Sequence, residues 1–136
     1  NLSVNADFRI LIAREPGLLD LLMRLVTEGG PLRKNALGLT LNLCTAAENK
    51  PLVGEAKGLV DAAIACMSPS SPAEDQARGA SLIWSLCSDA IVKQNLTADN
   101  NLIVALTSAA GRGGDVGQKA MGALSNLAPK VKVNAA

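Results

Sequence analysis

The run Ala120-Met121-Gly122-Ala123-Leu124-Ser125-Asn126-Leu127-Ala128 is the clearest copy of a recurring pattern, because related runs occur at residues 36–44 and 79–87. The second of these runs carries Ser85 where the others carry asparagine. The closing triplet recurs as Asn1-Leu2-Ser3, Asn42-Leu43-Cys44, Ser85-Leu86-Cys87 and Asn126-Leu127-Ala128. Its spacings are 41, 43 and 41 residues, so we interpret the chain as a tandem repeat.

A second marker keeps the same period: Gly17-Leu18-Leu19-Asp20, Gly58-Leu59-Val60-Asp61 and Asn101-Leu102-Ile103-Val104. The two extra residues of the longer spacing fall in Ser68-Pro69-Ser70-Ser71-Pro72, a loop by composition. Stacked repeats tolerate an insertion that is confined to a loop. We therefore predict one domain over residues 1–136, with units at approximately 1–41, 42–84 and 85–125 and a partial unit at 126–136.

Each unit reads as helices separated by helix breakers, and no alternating strand pattern occurs. Residues 18–26 are apolar on nearly every side, which is typical of a fully buried helix. Residues 32–44 follow as a second helix and residues 51–56 as a shorter one, after which Gly58 is expected to allow a sharp turn. The predicted class is all-α, with about three helices per unit.

Composition excludes several classes of function. There is no histidine, so no histidine general base, nucleophile pair or metal ligand can form. The 13 basic and 12 acidic residues nearly balance, which disfavours nucleic acid and anionic membranes as partners. No apolar run is long enough for a membrane span. The carboxylates are scattered, so we expect neither an enzyme nor a cofactor.

The three cysteines, Cys44, Cys66 and Cys87, are an odd number without a C-x-x-C pair. This favours a reducing compartment, the cytoplasm, with the nucleus or cytoskeleton as alternatives. Cys44 and Cys87 occupy equivalent positions in successive units, which indicates core packing.

The chain resembles the armadillo repeat in three respects. It has a period of about 42 residues, it has about three helices per unit, and the run at residues 120–128 and its copies falls in the third helix. The resemblance implies a right-handed α-solenoid of about three units plus partial ends. It also implies a non-catalytic protein interaction module. In that family the third helices often line a concave groove for an extended peptide. Three such helices span roughly 20–30 Å, which accommodates about seven to nine extended residues.

The resemblance also marks candidate binding residues on the third helices. An asparagine side chain both donates and accepts, so Asn42, Ser85 and Asn126 form a ladder suited to a peptide backbone. The full candidate set is Asn35, Asn42, Arg78, Ser81, Trp84, Ser85, Lys119 and Asn126. The alternatives are a solvated helix face, asparagines that only tie loops together, and partial burial of the tryptophan between repeats.

The small residues Gly38, Ser81 and Gly122 stand where importin-alpha-like members carry tryptophan. The basic and asparagine-rich face looks more like that of beta-catenin-like members, which take acidic or mixed peptides. A transport adaptor of the importin-alpha type and an armadillo-like exchange factor for chaperones stay open as alternatives.

The register also predicts where the chain begins and ends. Asn1 and Leu2 read as the tail of a third helix, which favours a fragment of a longer array. Apolar residues at both ends then lack a neighbouring repeat: Leu2, Val4, Phe8 and Ile10 at one end, Val131 and Val133 at the other. We expect end-to-end self-association from these residues.

Overall fold

The computed structural model describes the backbone of residues 2–127 and the side chains of residues 8–127. Within these residues the chain is helical without any strand, so the predicted all-α class is confirmed. The helices are α1 (Leu2–Ala13), α2 (Leu18–Glu28), α3 (Pro31–Leu43), α4 (Asn49–Glu55), α5 (Lys57–Cys66), α6 (Ala73–Leu86), α7 (Ala90–Thr97), α8 (Asn100–Ala110) and α9 (Gly114–Leu127). Val131 and Val133, which were predicted to take part in end-to-end association, and most of the partial unit 126–136 lie outside the described residues.

Local signals explain several helix starts. The carboxylate of Asp89 accepts a hydrogen bond from the Val92 amide at 3.0 Å and begins α7. Asp99 does the same for the Leu102 amide at 3.2 Å and begins α8. Each aspartate satisfies an amide that the first turn of a helix leaves without a partner. The inserted residues 68–72 lie between α5 and α6, where the sequence predicts a loop.

Several helices pack against the helix three elements later. Helix α1 contacts α4, and α4 contacts α7. Helix α2 contacts α5, α3 contacts α6, and α6 makes its most extensive contact with α9. The row formed by α3, α6 and α9, called the third-helix row below, carries the candidate binding residues.

Equivalent positions of the three sequence runs are buried alike. Leu43, Leu86 and Leu127 are each at most 1% exposed. Burying a leucine side chain contributes about 1.5–3 kcal/mol, so this row of leucines is a substantial part of the core. Ala36 and Ala120 are buried too, as are the cysteines at equivalent positions 44 and 87, which agrees with the expected core packing.

The expectation of a fully buried helix at residues 18–26 is wrong. Leu22 and Val26 of α2 are buried, but Asp20 and Arg24 are exposed and Leu21 is 42% exposed. Helix α2 packs mainly on α3 and α5, with a smaller contact to α1, and these neighbours leave part of its surface exposed. The leucines of residues 18–26 point to several sides of the helix, but neighbouring helices do not cover every side.

The role expected for Gly58 is also wrong, because this glycine lies inside α5 and not in a turn. The turn is at Ala56, with φ −75° and ψ 75°. A Cβ atom at position 58 would collide with the sulfur of Met23, which α2 places directly against this glycine. Glycine at this position leaves room for the Met23 side chain.

Leu2 is not the tail of a separate third helix, because α1 runs without a break from Leu2 to Ala13. A hydroxyl closes α3 and α6. The Thr45 hydroxyl donates to the Asn42 carbonyl at 2.7 Å, and the Ser88 hydroxyl donates to the Ser85 carbonyl at 3.0 Å. The equivalent position near the start of the chain is Val4, which has no hydroxyl.

Candidate functional site

A cavity of about 370 Å³ opens where α6 and α9 of the third-helix row meet the start of α4. We call it the α6–α9 cavity. Its lining residues are Lys50, Ser81, Trp84, Ser85, Ser88, Lys119 and Asn126. Five of the eight residues singled out in the sequence are therefore brought together: Ser81, Trp84, Ser85, Lys119 and Asn126.

Trp84 forms the apolar wall of this cavity. Its side chain is 41% exposed, and a Cβ atom on Gly122 of α9 would lie only 2.7 Å from the indole ring. The Lys119 ammonium nitrogen is 6.0 Å from the ring centroid, within reach of a cation–π attraction. The ring thus packs across α9 and still offers part of its surface to a ligand.

Asn126 and the serines supply the polar walls. The Asn126 side-chain amide donates to the Gly122 carbonyl at 3.2 Å. This bond uses one amide hydrogen, and among the described residues the side-chain oxygen of Asn126 makes no hydrogen bond. Because Ser81 and Ser85 add hydroxyls that both donate and accept, the cavity can serve the two polar groups of a peptide unit.

Lys50 and Ser88 belong to the cavity, although the sequence interpretation did not include them. The Lys50 ammonium donates to the Ser88 hydroxyl. A signal for Lys50 was present: Arg9 and Lys93 occupy the equivalent positions of the other units, so a basic residue recurs there.

The remaining candidates, Asn35, Asn42 and Arg78, do not line the α6–α9 cavity. Asn35 and Asn42 are exposed on α3. The guanidinium of Arg78 lies 3.5 Å from the carboxylate of Glu74, one helical turn earlier. As binding residues of the groove, these three stay predictions.

Glu74 accounts for the different environments of Arg78 and Lys119. Its carboxylate also pairs with Lys34 of α3 at 3.3 Å. Lys34, followed by Arg78, lowers the pKa of Glu74 through hydrogen bonding and charge. Arg78 therefore shares one carboxylate with Lys34, whereas Lys119 faces the cavity.

The cysteines are buried away from this chemistry. Burial raises the pKa of the Cys44 thiol to about 12 and that of Cys87 to about 11. Burial also raises the pKa of Cys66. Since the thiolate is the nucleophile and metal ligand, burial favours the less reactive, protonated form of these thiols.

A second cavity, of about 790 Å³, lies between α5 and the junction of α7 with α8. It contains Lys57, Asp61 and Asp99 together with Asn95 and Asn101. None of the eight candidate residues lines it, and its charges are of both signs. This cavity is the alternative location to test when a binding site is mapped.

Comparison with known proteins identifies no relative: no protein-family model, curated protein or solved structure matches the chain significantly. Within residues 2–127, every helix is too short or too polar to cross a lipid bilayer. Fold and site together define an all-helical protein with a polar, tryptophan-walled cavity between two of its longest helices.

Proposed function

We propose that the chain is a right-handed armadillo-type α-solenoid and a non-catalytic protein interaction module. It binds an extended segment of a partner protein along the third-helix row. One observation carries this proposal: five of the eight residues singled out in the sequence line a single cavity. The recurring contacts of α3 with α6 and of α6 with α9 support the stacked arrangement.

The chemistry of the α6–α9 cavity suits a peptide. An extended backbone presents N–H and C=O groups that lose water on binding and need new partners. Ser81, Ser85 and Asn126 offer both donors and acceptors, and the half-exposed ring of Trp84 offers an apolar surface for a side chain. Tryptophan is enriched among residues that dominate binding energy.

The charges distinguish this proposal from an importin-alpha-like adaptor. Trp84 covers Gly122, one of the positions where such members carry tryptophan, so one rung has an aromatic surface. The same cavity contains Lys50 and Lys119, which repel a basic peptide. The proposal includes a cytoplasmic location, which the three free thiols support.

A selection experiment tests the proposed function. Random peptides of about nine residues, the length that the row accommodates, would be displayed and selected on the whole chain. We expect selected peptides to change the emission of Trp84, the only tryptophan. Trp84→Ala and Asn126→Ala should each weaken their binding about tenfold or more, the loss typical of a binding hot spot.

Ile91→Ala is the matched control, because Ile91 is 72% exposed on α7 and lies outside the cavity. It should leave the affinity of the selected peptides unchanged. Peptides that bind Trp84→Ala and Asn126→Ala as tightly as the native chain would contradict the proposed function, and so would a selection that yields no peptide.

A further inference from the structure

Two lysines from different helices line the α6–α9 cavity. Lys50 comes from α4 and Lys119 from α9. Among the described residues neither ammonium pairs with a carboxylate, and no acidic side chain lines the cavity. Lys34 and Arg78, by contrast, share Glu74. Two like charges facing one space favour an anion there.

The cavity holds these cations in place before any ligand arrives. The Lys50 ammonium donates to the Ser88 hydroxyl, which in turn donates to the Ser85 carbonyl at 3.0 Å. An ammonium has three hydrogens, so two remain for a ligand. The Lys119 ammonium lies beside the Trp84 ring, 6.0 Å from its centroid. Such preorganisation lowers the entropy lost on binding.

The neutral donors of the cavity define the anion further. Ser81 and Ser85 contribute hydroxyls, and Asn126 has a second amide hydrogen. A carboxylate carries one negative charge and would leave one lysine unmatched. A phosphate monoester carries about 1.5 to 2 negative charges at pH 7 and three acceptor oxygens, so it matches both lysines and the surrounding donors.

We infer that the α6–α9 cavity binds a phosphorylated serine or threonine side chain of the partner peptide. Lys50 and Lys119 hold the phosphate, and the ring of Trp84 flanks the rest of the side chain. This inference rests on the proposed function, since it assigns the chemistry of one position in the bound peptide.

The test uses three fluorescent peptide libraries of about nine residues, with degenerate flanks and a fixed central residue. The central residue is phosphoserine, glutamate or serine. Binding to the whole chain is measured at about 150 mM salt, where weak surface attraction is screened. We expect the phosphoserine library to bind about tenfold more tightly than the serine library, as charge-assisted hydrogen bonds predict.

Lys50→Gln and Lys119→Gln should each remove most of that preference. Lys93→Gln is the matched control, because Lys93 is the repeat equivalent of Lys50 and lies outside the cavity. Thermal unfolding checks that each variant is folded. Titration of the native chain while Trp84 emission is followed gives a second readout that needs no variant.

Three results would overturn the inference. Equal binding of the phosphoserine and serine libraries would exclude an anion site, and equal binding of the glutamate library would assign a carboxylate instead. A phosphoserine preference that survives both lysine substitutions would place the anion elsewhere. In each case binding that still depends on Trp84 would leave the proposed function standing, whereas loss of all Trp84-dependent binding would remove both proposals.

Discussion

At the residue scale, Gly122 determines where the only tryptophan can lie. A Cβ atom there would come 2.7 Å from the Trp84 ring, whereas at the equivalent Gly38 nothing lies within 4 Å. Gly38→Ala should therefore stabilise the chain by about 0.5–1 kcal/mol, the usual gain within a helix. Gly122→Ala should lose that gain and shift the emission of Trp84. Urea unfolding measures the stability of the two variants, and fluorescence spectra measure the emission of Trp84. If Gly122→Ala gained as much stability as Gly38→Ala and left the emission unchanged, this packing would be contradicted.

Because the thiols are buried, the free energy of unfolding should fall as the pH becomes alkaline. In the folded chain the pKa of Cys44 is about 12 and that of Cys87 about 11, above the ordinary thiol value. A raised pKa means that the folded state keeps its protons longer than the unfolded state. The stabilisation is complete below about pH 8.5 and is lost as the pH rises towards the folded values.

Urea unfolding at neutral pH and at about pH 10 measures this effect. Each thiol should lower the free energy of unfolding by up to about 1.4 kcal/mol per pH unit in that window. Cys87→Ala should reduce the slope, because it removes one titrating thiol. A slope that is the same in the native chain and in Cys87→Ala would show that this thiol is not buried.

Residue positions were predictable from the sequence where the repeat itself supplied the information. The shared cavity of Ser81, Trp84, Ser85, Lys119 and Asn126 follows from equivalent positions on two stacked helices. Lys50 was missed because it belongs to a first helix that reaches the cavity only through tertiary packing. The pairing of Arg78 with Glu74 was missed because rotamers decide which charge is neutralised within one helix.

At the scale of the helix, Ala120 tests the packing of α9 on its neighbours. Ala120 is fully buried, whereas the next residue, Met121, is 59% exposed. Ala120→Phe should overpack the core and lower the free energy of unfolding by about 1–3 kcal/mol or more. Met121→Phe, the matched control, should change it by less than about 0.5 kcal/mol. An unchanged melting temperature for Ala120→Phe would show that the repeat register is wrong.

The presence of helices could be predicted because clusters of Gly, Pro and Ser separate the apolar runs. Helices α3 and α4 fall close to their expected ranges. The one-sided burial of α2 was not predictable, since the pattern records apolar residues but not which neighbours reach them. The role of Gly58 was misjudged for a related reason. A glycine needed for close helix packing looks the same in sequence as a glycine needed for a turn.

At the scale of the whole molecule, α3 and α9 each expose an apolar residue whose equivalents on the other two helices of the third-helix row are buried. Leu39 of α3 is 38% exposed, while its equivalents Leu82 and Ala123 are buried. Met121 of α9 is 59% exposed, while its equivalents Leu37 and Ala80 are buried. These two faces differ, so a head-to-tail contact between copies would cover both.

We therefore expect concentration-dependent association of the chain, measured by light scattering over a dilution series. Leu39→Lys should weaken it, because a charge would be buried at the contact. Ile91→Lys is the matched control, since Ile91 is exposed on α7, outside the third-helix row. A strictly monomeric chain at millimolar concentration, or equal association of both variants, would contradict the head-to-tail contact.

The location of a bound peptide on the chain would show whether the third-helix row is the binding surface. Amide and indole chemical shifts would be recorded by NMR while a selected peptide is titrated into the labelled protein. We expect the largest changes along α6 and α9, at Ser85, Asn126 and the Trp84 indole. Changes concentrated instead around Asp61 and Asn101, in the larger cavity beside α5, would contradict a binding surface on the third-helix row.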